Sequence, residues 1–485
     1  MNPPILRLYV LILLLFAVLV GFTTYWAVFK SEDLQEKPDN RRALIEAQAV
    51  KRGTISTADG TVVAESVPQG SGNQRIYTRR YPQGELFGHP VGYSFIQLGN
   101  NEIERAENPT LTGESNEFAN LLDELSGETE EGSNVTLTLD AEAQRVAQDA
   151  LESSITTPGT GGAVVAIEPE TGAVRAMVST PGYDPNSVPD TFSELNQDES
   201  SPLVNRPTQS VYPPGSTMKV VTATAALDSG EFEQSTTLNA DSGIDVSGVP
   251  LANSGGQDFG TIDMTTALTN SVNTYWAQVA EQLGPETMVE YMDRFGFFRR
   301  PPLDFPPDEL AASGVFNVDR DLVKEGFDVG RVGIGQGGEE GQILATPLQM
   351  AMVAAAVANE GTLMEPTLVQ EVTDPDGRTS SELDPEEYSE VMSEDVAAEV
   401  REMMTNVAEE GTASNLSVAG STLAGKTGTA EIDVESRLNQ AQFIGMAPAD
   451  DPQIVVSATV ERCTGCFGGD TAGPIATQVM ESLLD

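Results

Sequence analysis

Histidine, cysteine and lysine are scarce in this chain of 485 residues. Its one histidine is His89, and its two cysteines are Cys463 and Cys466. Two thiols and one distant imidazole cannot supply the four ligands of a structural zinc site, and we expect neither a metal nor a cofactor. A serine–histidine–aspartate triad is also excluded, because its base is a histidine and the only one lies near the N-terminus. We therefore expect His89 to be a packing or surface residue.

Basic residues as a whole are few. The chain has 26 lysine and arginine residues against 74 aspartate and glutamate residues, which gives a formal net charge of −48. Because nucleic-acid binding depends on neutralising phosphates with cations, this balance argues against a nucleic-acid partner. The acidic residues are spread along the chain. That distribution is compatible with an ordinary solvated surface and, as we favour, with adaptation to high salt.

Salt adaptation gives a first testable prediction. Self-repulsion on this scale destabilises a compact state unless salt screens the charges. We therefore expect the melting temperature of the protein to rise between low and molar salt. Thermal unfolding followed by circular dichroism over a series of sodium chloride concentrations measures this directly, and a melting temperature that stays constant or falls would contradict the hypothesis.

One long apolar run stands at the N-terminus, from Ile5 to Phe29, and Arg7 is its only charged residue. As a helix it would extend about 37 Å, enough to cross a bilayer. No clear cleavage site of small residues follows it. We therefore predict an uncleaved signal anchor within residues 1–30, with a short cytoplasmic tail and the rest of the chain extracytoplasmic. A cleaved signal peptide is the alternative, and the orientation depends on Arg7 alone.

An acidic run from Glu114 to Gly132 divides the remaining chain. It predicts a small N-terminal domain over residues 31–132 and a larger domain over residues 133–485. In the small domain, an Asp-Gly turn signal between Ile55 and Val62 predicts a β-hairpin.

The larger domain has strand patterns at both ends and helical patterns between them. An alternating run predicts a strand at 135–139, and Asp140 is expected to cap the helix that follows. The other predicted elements are the strand pairs 162–167 with 173–178 and 443–447 with 453–460, and helices at 216–227, 264–283, 346–359 and 393–410. This order predicts an α+β fold with an antiparallel sheet and a helical subdomain.

Two of only six lysines lie in short motifs with serine or threonine. Pro213-Pro214-Gly215 blocks helix formation before Ser216, and a helical pattern follows, so Ser216 is expected at a helix start. Residues three apart share a helix face, which places the amine of Lys219 beside the Ser216 hydroxyl. A lysine can lose its proton when buried, whereas an arginine effectively cannot, and a neutral lysine can activate a serine nucleophile. Alone, this pattern is weak and is better explained by a capping serine with a solvated lysine one turn later.

Two further motifs follow in the chain. Ser271-Val272-Asn273 alone is compatible with a polar break in a helix or between helices. Lys426-Thr427-Gly428-Thr429 is expected to open a strand in which the glycine lets another backbone approach closely. Alone, it is also compatible with a turn or a strand end that carries one exposed cation.

The three motifs in this order resemble the signature of penicillin-binding proteins and class A β-lactamases. The resemblance extends to essentially the whole chain. It is closest to the short class B penicillin-binding proteins of actinobacterial type, and the segments that carry it are 52–60, 80–87, 212–219, 335–337, 345–351 and 424–431. It implies a penicillin-binding, β-lactamase-like transpeptidase domain, preceded by a membrane anchor and a small non-catalytic domain of pedestal or dimerisation type, in a bacterial cell membrane.

The resemblance also implies a reaction, the cross-linking of peptidoglycan stem peptides. Ser216 would attack the carbonyl of the D-Ala–D-Ala bond to form an acyl-enzyme, and Lys219 would take its proton. Ser271, with Lys426 nearby, would relay a proton to the leaving D-Ala, and Asn273 would hold the amide of the donor peptide. β-Lactams would mimic the dipeptide and trap the serine.

Substrate binding is implied for the third motif. Thr427 and Thr429 would bind the terminal carboxylate of the stem peptide, with Gly428 between them. The backbone N–H groups of Ser216 and Thr429 would form the oxyanion hole, where preorganised donors stabilise the developing charge.

Several alternatives stay open at this point. They are a β-lactamase, a D,D-carboxypeptidase that uses water as the acceptor, a β-lactam receptor and a catalytically silent scaffold of wall synthesis. About 100 residues before the larger domain are too few for a glycosyltransferase domain. The resemblance therefore implies a membrane glycan polymerase of the shape, elongation, division and sporulation (SEDS) type as partner. The Cys463–Cys466 pair is expected to be a disulfide, given the extracytoplasmic placement, and the alternatives are a redox pair or free thiols.

Overall fold

The computed structural model describes residues 3–25, 50–70, 75–113, 131–155, 160–338, 341–433 and 436–484. The first element is an apolar helix, Pro3–Thr24, with no buried residue and with a stretch of 18 residues whose mean hydropathy is 2.7. It is the one helix among the described residues that is long and apolar enough to cross a membrane. Its exposed surface, in which Arg7 is the only charged residue, fits a single-pass membrane anchor. Residues 26–29 of the predicted span and the run 114–130 lie outside the described residues.

The N-terminal region contains a six-stranded sheet. Ile55–Ser56 pairs antiparallel with Val62–Gln69 across a turn at Gly60, which confirms the predicted hairpin. The strands lie in the order Thr379–Glu382, Val369–Thr373, Asn134–Leu137, Ile55–Ser56, Val62–Gln69, Ile76–Arg80. Two of them come from the late part of the chain, so this sheet joins residues from both sides of the boundary predicted at residue 132.

Short helices complete the N-terminal region, at Gly84–Phe87, Gly88–Val91, Glu102–Ala106 and Asn108–Thr112. His89 is buried there, with its Nε2 atom 2.9 Å from the carbonyl oxygen of Pro202 and its ring edge-on to Tyr183. Burial lowers the pKa of His89 to about 4. His89 is therefore a packing residue, one of the two roles expected from the sequence.

The larger domain is built on a five-stranded antiparallel sheet, here called the central sheet. Its order is Ala424–Asp433, Leu438–Ala447, Ile454–Thr464, Gly162–Ile167, Val174–Thr180. Both strand pairs predicted from the sequence are present in it. Helices Ala141–Ser154 and Gly473–Leu484 pack together against it, and Pro347–Ala358, with all of its residues buried, also packs on its strands. The predicted cap is present, since the Asp140 carboxylate accepts a hydrogen bond from the backbone N–H of Ala143.

A helical subdomain stands between the strands of the central sheet. Its helices are Lys219–Asp228, Met264–Thr269, Asn273–Arg294, Val329–Gly333 and Glu394–Glu409. The α+β architecture predicted from the sequence is therefore confirmed. The single helix predicted over 264–283 is wrong, because the chain leaves the helix at residues 270–272 and Ser271 takes a left-handed backbone conformation, with φ of 56°. A second break follows at Gly284, where φ is 76°.

Candidate active site

Ser216 lies in a tight turn, Gly215–Met218, that leads directly into the helix Lys219–Asp228. The Lys219 Nζ atom is 3.0 Å from the Ser216 Oγ atom, as the spacing of three residues predicts. Lys219 has no solvent-exposed surface, whereas Ser216 is partly exposed. A buried amine therefore contacts a hydroxyl group that a ligand can reach from solvent.

The break between two helices brings Ser271 and Asn273 to the same amine. The Lys219 Nζ atom is 2.7 Å from Asn273 Oδ1, 2.8 Å from the Ser271 carbonyl oxygen and 3.3 Å from Ser271 Oγ. The Asn273 Nδ2 atom donates to the carbonyl oxygen of Ala252 at 3.2 Å, which fixes the orientation of the amide. The left-handed conformation of Ser271 turns its carbonyl and its hydroxyl toward one atom.

Lys426 joins this cluster from the edge strand of the central sheet. Its Nζ atom is 3.0 Å from Ser271 Oγ and 3.0 Å from the carbonyl oxygen of Thr427. Ser271 therefore bridges the two amines. A continuous line of hydrogen bonds runs from Ser216 through Lys219 and Ser271 to Lys426.

Burial determines the electrostatics of the two amines. Loss of hydration on burial, and then the nearby positive charge of Lys426, hold the pKa of Lys219 well below its ordinary value. Burial lowers the pKa of Lys426 to about 7. The hydrogen-bond partners of both amines named above are neutral oxygen atoms, so none of them supplies the negative charge of an ion pair that would raise the pKa. The site therefore favours the neutral form of the Lys219 amine far more than solvent favours it for an exposed lysine.

Glycine at position 428 is required by close packing. A Cβ atom there would lie 2.8 Å from the Pro214 carbonyl oxygen and 3.0 Å from the Cγ2 atom of Thr217. The glycine of the third motif thus lets the backbone before the serine approach the strand, as the sequence predicts. This contact positions Thr429, which is partly exposed, beside the turn that carries Ser216.

The hydroxyl groups of the third motif have partners that were not found from the sequence. Thr427 Oγ1 lies 2.6 Å from Thr412 Oγ1, and Thr429 Oγ1 accepts a hydrogen bond from the backbone N–H of Gly468 at 3.2 Å. The Gly468-Gly469 doublet was the one local signal that could have indicated a close backbone approach. Nothing in the sequence pattern singles out Thr412.

The backbone of Gly335 packs against the turn Gly215–Met218, here called the serine turn. The backbone N–H of Gly215 donates to the Gly335 carbonyl oxygen at 3.0 Å, and Thr222 Oγ1 donates to the Gly333 carbonyl oxygen at 2.6 Å. A Cβ atom at Gly335 would lie only 1.8 Å from the Gly215 carbonyl oxygen. The segment 333–335 thus limits how far the turn that carries Ser216 can move toward it.

Comparison with known families agrees with this geometry. The family described as "Penicillin binding protein transpeptidase domain" matches residues 162–481, which is more than half of the chain and includes the three motifs. The chain belongs to the penicillin-binding transpeptidase family. Residues 52–135 also match the family described as "Penicillin binding protein A dimerisation domain".

Known members resemble this penicillin-binding transpeptidase over its full length. It is 33% identical to peptidoglycan D,D-transpeptidase PbpA of Mycolicibacterium smegmatis, over 100% of this chain and 99% of that protein. The solved structure of penicillin-binding protein A from M. tuberculosis as its ceftriaxone acyl-enzyme complex superposes with a TM-score of 0.81 at 31% identity, over 91% of this chain and 100% of that one. The D,D-transpeptidase domain of a peptidoglycan glycosyltransferase from Eggerthella lenta superposes with a TM-score of 0.77 at 31% identity, over 90% and 98% of the two chains.

Proposed function

We propose that this chain is a peptidoglycan D,D-transpeptidase that works through an acyl-enzyme on Ser216. The observation that carries the proposal is the unbroken line of hydrogen bonds from Ser216 Oγ through Lys219 and Ser271 to Lys426. It links a reachable nucleophile to a buried amine whose pKa is held well below its ordinary value, without a histidine. The names of the relatives, D,D-transpeptidases and β-lactam acyl-enzymes, support the same reaction class.

Acylation follows from these contacts. The Ser216 Oγ atom attacks the carbonyl carbon of the D-Ala–D-Ala bond, and its proton passes to Nζ of Lys219, 3.0 Å away. The tetrahedral intermediate collapses with cleavage of the C–N bond. The leaving D-Ala nitrogen receives the Ser271 hydroxyl proton, which the Lys219 ammonium replaces across 3.3 Å. The base is neutral again at the end of the step.

The two negative charges of the reacting ligand, on the oxyanion and on the terminal carboxylate, are bound between the serine turn and the edge strand Ala424–Asp433. The backbone N–H groups of Ser216 and Thr429 form the oxyanion hole for the tetrahedral intermediate. The hydroxyl groups of Thr427 and Thr429 bind the terminal carboxylate. The side chain of Asn273 donates a hydrogen bond to the amide of the stem peptide that becomes the acyl group. An amine of a second stem peptide then attacks the carbonyl carbon of the acyl-enzyme and gives a proton to Lys219. The C–O bond to Ser216 breaks, and Lys219 passes this proton to the departing Ser216 Oγ atom, 3.0 Å away, which completes the cross-link and restores the free serine.

The pH dependence of acylation tests the neutral-amine role. Lys219 acts as a base only without its proton, and its pKa lies well below that of an ordinary lysine. Acylation is therefore expected to fall as the pH decreases through this lowered pKa and to reach its plateau well below the pH at which an ordinary lysine loses its proton. An ordinary lysine would instead give a rate that rises about tenfold per pH unit up to about pH 10.4. Stopped-flow acylation by a fluorescent penicillin from pH 5 to pH 10 distinguishes the two profiles, with circular dichroism as the control for folding.

The architecture supports a membrane-bound enzyme. The helix Pro3–Thr24 anchors the chain, with the transpeptidase domain on the extracytoplasmic side of a bacterial cell membrane. Residues 31–132 supply the N-terminal domain and 133–485 the transpeptidase domain, and strands from after residue 132 complete the N-terminal sheet. A SEDS-type glycan polymerase would supply the strands to be cross-linked, and the anchor with the segment from Lys51 to Ala64 would contact it. Co-purification that persists after the anchor is exchanged for an unrelated one would contradict this contact.

The products distinguish a transpeptidase from a D,D-carboxypeptidase. The full chain in detergent is incubated with glycan strands that carry pentapeptide stems, and the muropeptides are analysed by mass spectrometry. We expect cross-linked dimers that the Ser216→Ala variant does not form. Tetrapeptide monomers alone would identify a carboxypeptidase, and no product from folded protein would identify a silent scaffold. In a separate assay, rapid hydrolysis of penicillin would identify a β-lactamase.

A further inference from the structure

Cys463 and Cys466 form a disulfide that has no part in the reaction described above. It lies at the end of the strand Ile454–Thr464, with Cys463 buried and Cys466 partly exposed. Gly468 and Gly469 follow two residues later and lead into the C-terminal helix Gly473–Leu484. The disulfide therefore closes the loop that leads from the central sheet into this glycine doublet.

The glycine doublet packs directly on the third motif. A Cβ atom at Gly468 would lie 2.5 Å from the carbonyl oxygen of Gly428 and 2.9 Å from the backbone nitrogen of Gly428. A Cβ atom at Gly469 would lie 2.6 Å from the Thr412 carbonyl oxygen and 3.4 Å from Thr427 Cγ2. These separations leave no room for a side chain. The position of the doublet is thus tied to the strand that carries the carboxylate-binding threonines.

One hydrogen bond from the doublet reaches a proposed substrate-binding group. The backbone N–H of Gly468 donates to Thr429 Oγ1 at 3.2 Å. This bond occupies a lone pair of the Thr429 hydroxyl and leaves its single proton to be donated elsewhere. A threonine that must bind a carboxylate needs its hydroxyl as a donor. The Gly468 N–H therefore orients the hydroxyl for that role.

The disulfide loop determines where the Gly468 N–H lies. The backbone N–H of Gly465 donates to the Arg437 carbonyl oxygen at 2.8 Å, and Asn439 Nδ2 donates to the Cys466 carbonyl oxygen at 3.0 Å. The loop thus rests on the start of the neighbouring strand, Leu438–Ala447. The covalent bond between positions 463 and 466 limits how far the chain between these contacts and Gly468 can move.

We propose that the Cys463–Cys466 disulfide positions the Gly468 N–H against Thr429 and so sets the affinity of the site for the substrate's terminal carboxylate. Cys463 and Cys466 are positioning residues, since they touch neither the ligand nor the reacting atoms. The inference rests on the carboxylate-binding role proposed for Thr429. A dithiol reductant releases the constraint, because its two thiols give up two electrons and two protons to the S–S bond and become a disulfide themselves.

The test compares the oxidised and the reduced full chain in detergent, with the reductant removed before the assay because a dithiol attacks thioesters directly. The substrate is a thioester analogue of the stem peptide that keeps the terminal carboxylate, and the same analogue with a methyl-capped carboxylate is the control. We expect reduction to raise KM for the carboxylate substrate about tenfold, near the upper end of the change caused by losing one hydrogen bond, with kcat within about twofold. The capped substrate is expected to show no change, and reoxidation is expected to restore KM.

Two sets of variants complete the experiment. In Thr429→Val, which lacks the hydroxyl group, reduction is expected to leave KM unchanged, and the Cys463→Ser/Cys466→Ser variant is expected to match the reduced wild type. If reduction lowers kcat and raises KM equally for both substrates, or abolishes the cooperative melting transition, the disulfide acts on stability alone and the proposal is overturned. If Thr429→Val itself leaves KM unchanged in oxidised protein, the carboxylate-binding role of Thr429 fails instead, and this inference fails with it.

Discussion

Replacement of Lys219 by arginine is expected to slow the acylation of Ser216 by about 100- to 10,000-fold, the range that a general base contributes. Arginine keeps the positive charge but cannot lose its proton in a protein, whereas burial and the proximity of Lys426 favour the neutral form of Lys219. Stopped-flow acylation by a fluorescent penicillin measures the second-order rate constant. The effect is expected to appear at saturating penicillin as well, because the amine acts in the chemical step.

Matched variants separate the loss of the base from the loss of packing. Lys324→Arg makes the same exchange at a half-exposed lysine, 3.3 Å from Asp293 Oδ1, and is expected to acylate normally. Lys219→Met fills a similar volume without a charge and is expected to be as inactive as Lys219→Arg. Normal acylation by folded Lys219→Arg would refute the neutral-amine role of this residue.

Gly335→Ala is expected to have the second largest effect, although residue 335 touches no substrate. The backbone of Gly335 is left-handed, with φ of 77°, and its Cβ atom would lie 1.8 Å from the Gly215 carbonyl oxygen. The serine turn must move to accommodate the methyl group, and a displacement of about 1 Å can cost about 100-fold in rate. We expect acylation to fall by about that factor and the free energy of unfolding to fall by more than about 2 kcal/mol. Acylation kinetics and urea unfolding measure the two effects.

Gly230→Ala is the control for this substitution. Gly230 is also left-handed, with φ of 72°, but nothing lies within 4 Å of its Cβ position. The Gly230→Ala variant is therefore expected to lose only about 1 to 2 kcal/mol of its free energy of unfolding, the cost of a left-handed backbone at an alanine. Its acylation rate is expected to be that of the wild type. If Gly335→Ala behaves like Gly230→Ala in both measurements, then the contact with Gly215 does not hold the serine turn.

The local part of the site could be predicted from the sequence. The proline-proline-glycine stop and the spacing of Ser216 and Lys219 determine a short-range geometry, and the 3.0 Å contact agrees with it. The need for glycine at position 428 followed from the close approach expected at a strand, and Pro214 is the backbone that approaches. These features depend on residues close together in the chain, so the sequence spacing alone is enough to predict them.

The long-range part could not be predicted in this way. The sequence left a break at Ser271-Val272-Asn273 open within the helix predicted over 264–283, but the left-handed conformation that Ser271 takes there is unfavourable for a serine and no local pattern indicated it. The contact of Gly468 with Thr429 and the addition of strands Val369–Thr373 and Thr379–Glu382 to the N-terminal sheet join residues far apart in the chain. Tertiary packing determines such pairings, and no local pattern encodes them.

Mass spectrometry of the acyl-enzyme tests the central claim most directly. The full chain in detergent and high salt is incubated with a fluorescent penicillin, its intact mass is measured over time, and the modified peptide is sequenced. The account predicts one adduct with the mass of the whole penicillin, long-lived and located on Ser216. An adduct on another residue, or no adduct on folded protein, would contradict the proposed nucleophile, and an adduct that is rapidly hydrolysed would identify a β-lactamase instead of a transpeptidase.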